Sequence, residues 1–306
     1  MSYMHTCDLT GAPFPHFPDP DRWFSSRTTR RAVQDVRDSF LDGRTNALAL
    51  IGPKGVGKST MCAWLCRDIA QNAAVVCVVV PSQYQDGHIE NLIFAACTGQ
   101  VKQTGVVSRK ALCRQLLDRR NGTASCVVFI DDAHHLPPGA LIAVYSLLTL
   151  QKENRSVVRI VMAGDESLQQ RLSLPPFSTP EQRTVTCIPL EPLTGGETIA
   201  YVEHRLQKAG WKRGVDAFPF SPEVLGLLVV DGGGLPGKIN TLCDQGLSSA
   251  FLRNRMRVQP EDLSYVSLGC LRSTWNIPSL LSAGLNRLCI AIMWACLFFV
   301  RRRRAP

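Results

Sequence analysis

An α/β fold, in which strands and helices alternate around a parallel sheet, is predicted by three features of the chain. The first is Ala47-Leu-Ala-Leu-Ile-Gly52-Pro-Lys-Gly55-Val-Gly57-Lys58-Ser59-Thr60, an apolar strand entering G-x-x-x-x-G-K-S and then a helical pattern. The second is Cys126-Val-Val-Phe-Ile130, an apolar run of the buried-parallel-strand type that ends in Asp131-Asp132. The third is the repetition of such runs, at Ala74–Val80 and Val157–Ala163, with helical patterns between them. That alternation calls for a parallel sheet with helices on both faces.

Composition limits the alternatives. With 306 residues the chain is long enough for one large core and a second, smaller one. A hydrophobic content of 45% against 19% charged is that of a globular chain and excludes disorder. Of the net charge of +9, Arg301–Arg304 supply four units, so the remainder is too weakly basic to predict a nucleic-acid groove. The 12 cysteines are scattered without C-x-x-C or Cys/His spacing for zinc, and several lie inside apolar strand patterns as small buried hydrophobes. A reducing cytoplasm fits that usage. Residues 1–20 contain no apolar core of a secretory signal.

In chain order, residues 1–28 form a lead-in rich in Pro and aromatic residues, expected to be extended. A helix is predicted over about Thr29–Leu41, stopped by Gly43. Beyond the first strand, loop and helix come the Ala74 strand and helical patterns near Ile89–Thr98 and Ser108–Arg120. Then follow the Cys126 strand, a helix opened by Pro137-Pro138, the Val157 strand leading to Gly164-Asp165, and a short strand over Thr184–Pro189. After Pro192 the strands stop. Glu197–Gly210, Pro222–Val230 and Lys238–Phe251 read as a small helical bundle.

The loop carries the chemistry. Gly52, Gly55 and Gly57 let the backbone of Gly52, Pro53, Lys54, Gly55, Val56 and Gly57 curl so that its N–H groups face phosphate oxygens. Lys58 is spaced to reach the β/γ-phosphates, Ser59 to hold Mg²⁺, and the helix through Thr60 presents its positive dipole end. Asp131 is expected in the Mg²⁺ shell, and Asp132 as the base that orients the attacking water. His134-His135 are read as capping or packing residues, Tyr201 and Trp211 as core. Arg253, Arg255 and Arg257 are read as a solvated helix end.

The tail is apolar. Leu288–Val300 is uninterrupted over about 13 residues, or roughly 20 Å as a helix. Extended back through Leu280 it reaches about 22 residues, long enough to cross a bilayer, with Arg287 inside. Residues 279–300 are therefore expected to be a membrane segment and 301–306 a basic tail. The arginines prefer the cytoplasmic side, which is also where a site for a nucleoside triphosphate must face, so a single span conflicts with itself.

These motifs resemble AAA+ ATPases of the general secretion pathway protein A type, near relatives of TniB-type transposition ATPases. The resemblance runs from Pro13 to about Leu268. It is carried by Pro13-Phe14 with Pro18-Asp19-Pro20, by the loop Gly52–Thr60, by Ile130–Leu136 against I-D-E-A-Q-x-L and by Ile160–Leu168. It continues through Gln182-Arg183, Pro189–Leu193, Glu197–Leu206 and Gly234–Asp244. It implies an AAA+ α/β domain over 29–192 and an all-α lid over 193–268, followed here by the apolar C-terminal helix. It further implies ATP with Mg²⁺, self-association with Arg183 as a finger on a neighbour's nucleotide, and Asp165 at the sensing position of the third strand.

The chain departs from that pattern at three places. Asp132 stands for Glu, one methylene shorter, which implies slow hydrolysis. Asp165 stands for Gln and brings a repelling carboxylate. The lid arginine falls on Gly237, leaving Lys238 as the nearby cation, without the planar fork of Arg. The first functional expectation is a membrane-attached ATPase at the cytoplasmic face of the inner membrane, supporting assembly of an envelope secretion or pilus system. Its partners would be itself, inner-membrane components and lipid. A DNA-bound regulator of transposition and a nucleotide-gated scaffold with little hydrolysis are the alternatives. Longer family members add a periplasmic wall-binding domain after their span, which the sequence up to Pro306 does not contain.

Overall fold

The computed structural model describes residues 9–15, 17–42, 46–70, 74–80, 89–99, 107–118, 126–148, 151–152, 155–156, 158–175, 177–179, 182–183, 185–214 and 216–263. These residues form two compact units. One comprises Arg27–Pro53 and Lys58–Glu191, the other Met1–Ser26, Lys54–Gly57 and the chain from Pro192 onward.

The first unit is the α/β one. Its elements are α1 (Arg27–Asp42), β1 (Ala47–Ile51), α2 (Lys58–Ile69), β2 (Ala74–Val79), α3 (Ile89–Thr98), α4 (Arg109–Asp118) and β3 (Cys126–Asp131). They continue with α5 (Pro138–Leu147), β4 (Gln151–Lys152), β5 (Arg155–Ser156), β6 (Val158–Gly164) and α6 (Glu166–Leu172). The last are β7 (Ser178–Thr179), β8 (Gln182–Arg183) and β9 (Val185–Pro189). Five strands make one parallel sheet in the order β2-β3-β6-β1-β9. Every position of β1 and β3 is buried, which requires cover on both faces and explains why these strands read as continuous apolar runs. Two short antiparallel ribbons, β4-β5 and β7-β8, lie outside that sheet. Pairs of two residues have no periodicity, so the sequence pattern contained no sign of them.

The second unit is helical: α7 (Gly195–Lys208), α8 (Pro222–Gly232) and α9 (Pro236–Leu252). Thr194 and Glu197 close a capping box at the start of α7, each side chain bonded to the other's backbone N–H. Ser221 caps α8 ahead of Pro222, and Gly233 ends it in the left-handed region. Strands do not stop completely here, since Phe220 and Val258 form a single parallel bridge.

The lead-in is not simply extended. A 3₁₀ turn, Pro20–Arg22, interrupts it, and α1 begins at Arg27 instead of Thr29. Phe14 is fully buried in the core of the helical unit with Tyr201, Trp211 and Phe220. Thr10 N–H donates to Ala209 O at 2.8 Å, and Arg205 Nε donates to Pro13 O at 2.9 Å. The backbone amides and carbonyls of an extended strand need partners, and the lid helix supplies them.

The arginines after α9 are exposed, as expected, and they also carry structural contacts. Arg253 and Arg255 reach the fully buried Asp262 at 3.4 and 3.7 Å, and Arg257 donates to Phe220 O at 3.1 Å. The solvated face therefore also anchors the end of the unit. Among the described residues no helix is long and apolar enough to cross a membrane. The expected membrane segment 279–300 and the tail 301–306 lie outside the described residues.

Candidate functional site

Parallel strands end on the same edge of a sheet, and here β6 lies between β3 and β1. The register pairs Ile51 with Gly164 and Ile130 with Met162, so three chain segments leave the sheet side by side. They are the loop after β1, Asp131-Asp132 at the end of β3, and Asp165 after β6. Ligands of open α/β sheets bind at this carboxyl edge. Gly52 N–H donates to Gly164 O at 3.2 Å and joins two of the segments.

The loop has the backbone a phosphate cradle needs. Gly55 and Gly57 adopt φ values of +85° and +104°, open to glycine at no steric cost. Lys58, the first residue of α2, is 8% exposed, and its ammonium donates to Gly52 O at 2.7 Å and Pro53 O at 3.0 Å. Burial pulls its pKa below the usual lysine value, opposed by the charges of Asp131, Asp132 and Asp165. Val56 is buried, Pro53 and Lys54 are exposed, and Thr60 is partly buried.

Asp131 is 4% exposed. Burial, and then the neighbouring charge of Asp132, raise its pKa from 3.8 to about 6. Hydrogen bonds from the Ser59 side chain and the Asp132 backbone, and the charge of Lys58, offset part of that rise. Asp132 itself sits at φ +53°, a left-handed conformation rare for a residue with a side chain. Its N–H donates to Asp131 Oδ1 at 3.0 Å, and its carbonyl accepts from His135 N–H at 3.0 Å. Held strain of this kind, on the order of 1–3 kcal/mol, clusters at functional sites.

Ser59 and Asp131 are hard oxygen donors already in contact, the donor set that magnesium takes from a protein when phosphate oxygens complete its shell. The buried Lys58 ammonium at the end of a glycine-rich turn suits a triphosphate. The residues therefore fit a magnesium–nucleotide complex.

Asp165 has a role that the sequence reading did not assign. It N-caps α6, accepting from Ser167 N–H at 3.0 Å and Ser167 Oγ at 2.6 Å, and lies 3.8 Å from His134 Nε2. The desolvation of this half-exposed group is outweighed by the Ser167 bonds and by His134, so its pKa is lowered. An aspartate followed two residues later by serine before a helical run was the available signal. His134 stacks on His135 with ring centroids 3.9 Å apart, and its carbonyl accepts from Arg171. Cys62, one turn after Lys58, feels the charges of Asp131 and Lys58 and was also missed. Its i+4 spacing from Lys58 put it on the same helix face.

Two further expected residues lie on other elements. Arg183 lies by its backbone in β8, paired with Ser178. Lys238, on the first turn of α9, is exposed. Its neighbour Gly237, where the resemblance expects arginine, donates its N–H to Gly55 O at 2.8 Å within the helical unit. A Cβ at 237 would lie 3.0 Å from Gly55 Cα, so this backbone approach itself accounts for glycine there.

Comparison with known proteins agrees with this geometry. Residues 41–172 match the family described as AAA domain. General secretion pathway protein A of Aeromonas hydrophila is 29% identical over 267 residues, covering 86% of this chain and 47% of that protein. The chain thus spans about half the length of this curated relative. Among solved structures, the Aeropyrum pernix ORC1 protein in complex with DNA has a TM-score of 0.63 at 20% identity, over 84% of this chain and 69% of that one. Cdc6p from Pyrobaculum aerophilum has a TM-score of 0.59 at 17% identity, over 78% and 67%. At such identities the structures speak for the fold alone. With an AAA domain matched over residues 41–172 on this sheet order and this loop, the chain resembles the AAA+ ATPases and, over most of its length, general secretion pathway protein A.

Proposed function

We propose that the chain binds ATP with Mg²⁺ through the loop Gly52–Thr60, hydrolyses it slowly, and serves the assembly of an envelope secretion or pilus system. The observation that carries the nucleotide reading is the meeting of Lys58, Ser59 and Asp131 at the carboxyl edge of β1 and β3. Lys58 holds the β/γ-phosphates, Ser59 and Asp131 hold the cation, and Asp132 accepts the proton of the attacking water. Mg²⁺ supplies charge neutralisation on the phosphate oxygens. Asp132 is one methylene shorter than glutamate, which is the reason for slow turnover. Arg183 acts on the nucleotide of a neighbouring copy, Asp165 borders the site after β6, and the assembly is a homo-oligomer. The pathway, inner-membrane partners and attachment of 279–300 to the cytoplasmic face are proposals supported by the secretion relative and by the apolar tail.

Nucleotide binding by purified wild type and Lys58→Ala chains tests the core of this reading. Loss of one charge-assisted contact, about 1.5–3 kcal/mol, weakens binding on the order of 10- to 100-fold. Equal affinities would overturn it. Asp132→Glu raises turnover if reach is limiting, and an unchanged or lower rate removes that explanation. Arg183→Ala chains mixed with Lys58→Ala chains regain activity if the finger acts between copies. Membrane fractionation of the full chain, against one ending at Pro278, separates the membrane reading from the DNA-bound regulator: a full chain soluble without detergent favours the latter.

A further inference from the structure

Helix α2, whose first turn holds Lys58 and Ser59, meets β2 through two sulfurs. Cys66 Sγ and Cys77 Sγ are 2.8 Å apart, and both cysteines are free. Cys66 is buried at 6% exposure, whereas Cys77 is partly exposed. β2 ends the sheet order and among the described residues has a ladder with β3 alone, and both α3 and α2 pack against it. Contraction from 2.8 Å to a disulfide of about 2.05 Å takes less than about 1 Å of movement.

We propose that Cys66 and Cys77 form a reversible, hydroperoxide-induced disulfide that staples the phosphate-loop helix to the edge strand of the sheet. The proposal is independent of the nucleotide reading. Cys77, the accessible partner, attacks the hydroperoxide as thiolate. The O–O bond breaks, the departing oxygen takes up a proton, and Cys77 becomes a sulfenic acid. Cys66 sulfur then attacks Cys77 sulfur, the S–O bond breaks, and the hydroxyl leaves as water with the Cys66 proton. Two thiols are oxidised by two electrons, and one peroxide is reduced. Burial, reinforced by its hydrogen bond with Cys77, holds the Cys66 thiol well above the usual cysteine pKa, so it stays protonated until that second step. Intracellular disulfides of this kind act as redox sensors more often than as permanent supports.

The test uses the full chain treated with hydrogen peroxide, then digested without reduction for peptide mass spectrometry. The expected product is a peptide joining Cys66 to Cys77, two hydrogens lighter than the dithiol and restored by dithiothreitol. Because the cross-link closes a short loop, the oxidised chain melts about 5 °C or more above the reduced one. Cys77→Ser chains show neither change. The mass spectrum of the wild type alone decides the matter if that variant folds poorly. A natively folded chain that yields a Cys62–Cys77 link, over-oxidised Cys77 or unmodified thiols overturns the proposal.

Discussion

Asp131 in the α/β unit and Asp262 in the helical unit are both carboxylates with almost no exposed surface, 4% and 0%, yet their surroundings are opposite. Asp262 accepts from Ser249 Oγ at 3.2 Å and Gln259 N–H at 2.9 Å, and two arginines reach it. Its charge is answered inside the unit. Asp131 has a second carboxylate next to it, and its hydrogen bonds and the Lys58 charge fail to offset burial. A buried charge left short of cations marks a site made for an additional one, whereas a satisfied one marks a structural joint.

Removing each carboxylate should therefore have opposite effects on the protein without nucleotide. Asp262→Ala leaves the Ser249 hydroxyl and the Gln259 N–H without their acceptor and removes the carboxylate that Arg253 and Arg255 reach, and should cost about 2 kcal/mol in urea unfolding. A cost below about 1 kcal/mol would mean that Asp262 is not the joint it resembles. Asp131→Asn should instead stabilise, on the order of 2 kcal/mol at pH 7.5, while removing the magnesium requirement of nucleotide binding.

The pH dependence sharpens that second outcome. The folded chain holds the Asp131 proton more tightly than the unfolded chain, with values of about 6 and 3.8. Below pH 4 both states carry the proton and the group costs nothing. As pH rises towards 6 the unfolded state ionises first, so wild-type stability falls, and above 6 the full penalty is present. The difference between Asp131→Asn and wild type should thus grow from near zero at pH 4 to a plateau above pH 6 in thermal melts. A flat difference would mean that burial does not strain Asp131. The smallest effect expected is for Thr194→Ala at the capping box of α7, about 1 kcal/mol and independent of pH between 6 and 8.

Most of the fold was legible because its signals are short-range. The apolar runs at Ala47, Ala74, Cys126, Val157 and Thr184 correspond to β1, β2, β3, β6 and β9, with ends displaced by at most a residue or so. The helical pattern at Ile89–Thr98 matches α3 at both ends. The helix start at Pro222 is as expected, whereas two others moved by two residues where the Thr194 cap and Pro236 determine the first turn. The site was legible in its residue types, since Lys58, Ser59 and Asp131 do come together. It was not legible in its balance. Asp165 is turned into a helix cap by Ser167, and Gly237 lies in close backbone approach to Gly55.

What the amino-acid sequence determined by itself is what neighbours along the chain decide. The Gly52–Ser59 turn, the buried strands and the helix stops depend on φ preferences and periodicities within a few residues. Only the tertiary structure decided which distant groups share a dielectric. It inserted β6 between β3 and β1, buried Phe14 in the helical unit, brought Arg253 and Arg255 onto Asp262, and set Cys66 against Cys77. The physical reason is that burial and electrostatic partners act through space. Asp131 carries a raised pKa, and Asp262 a pair of arginines, because of packing that no local pattern records.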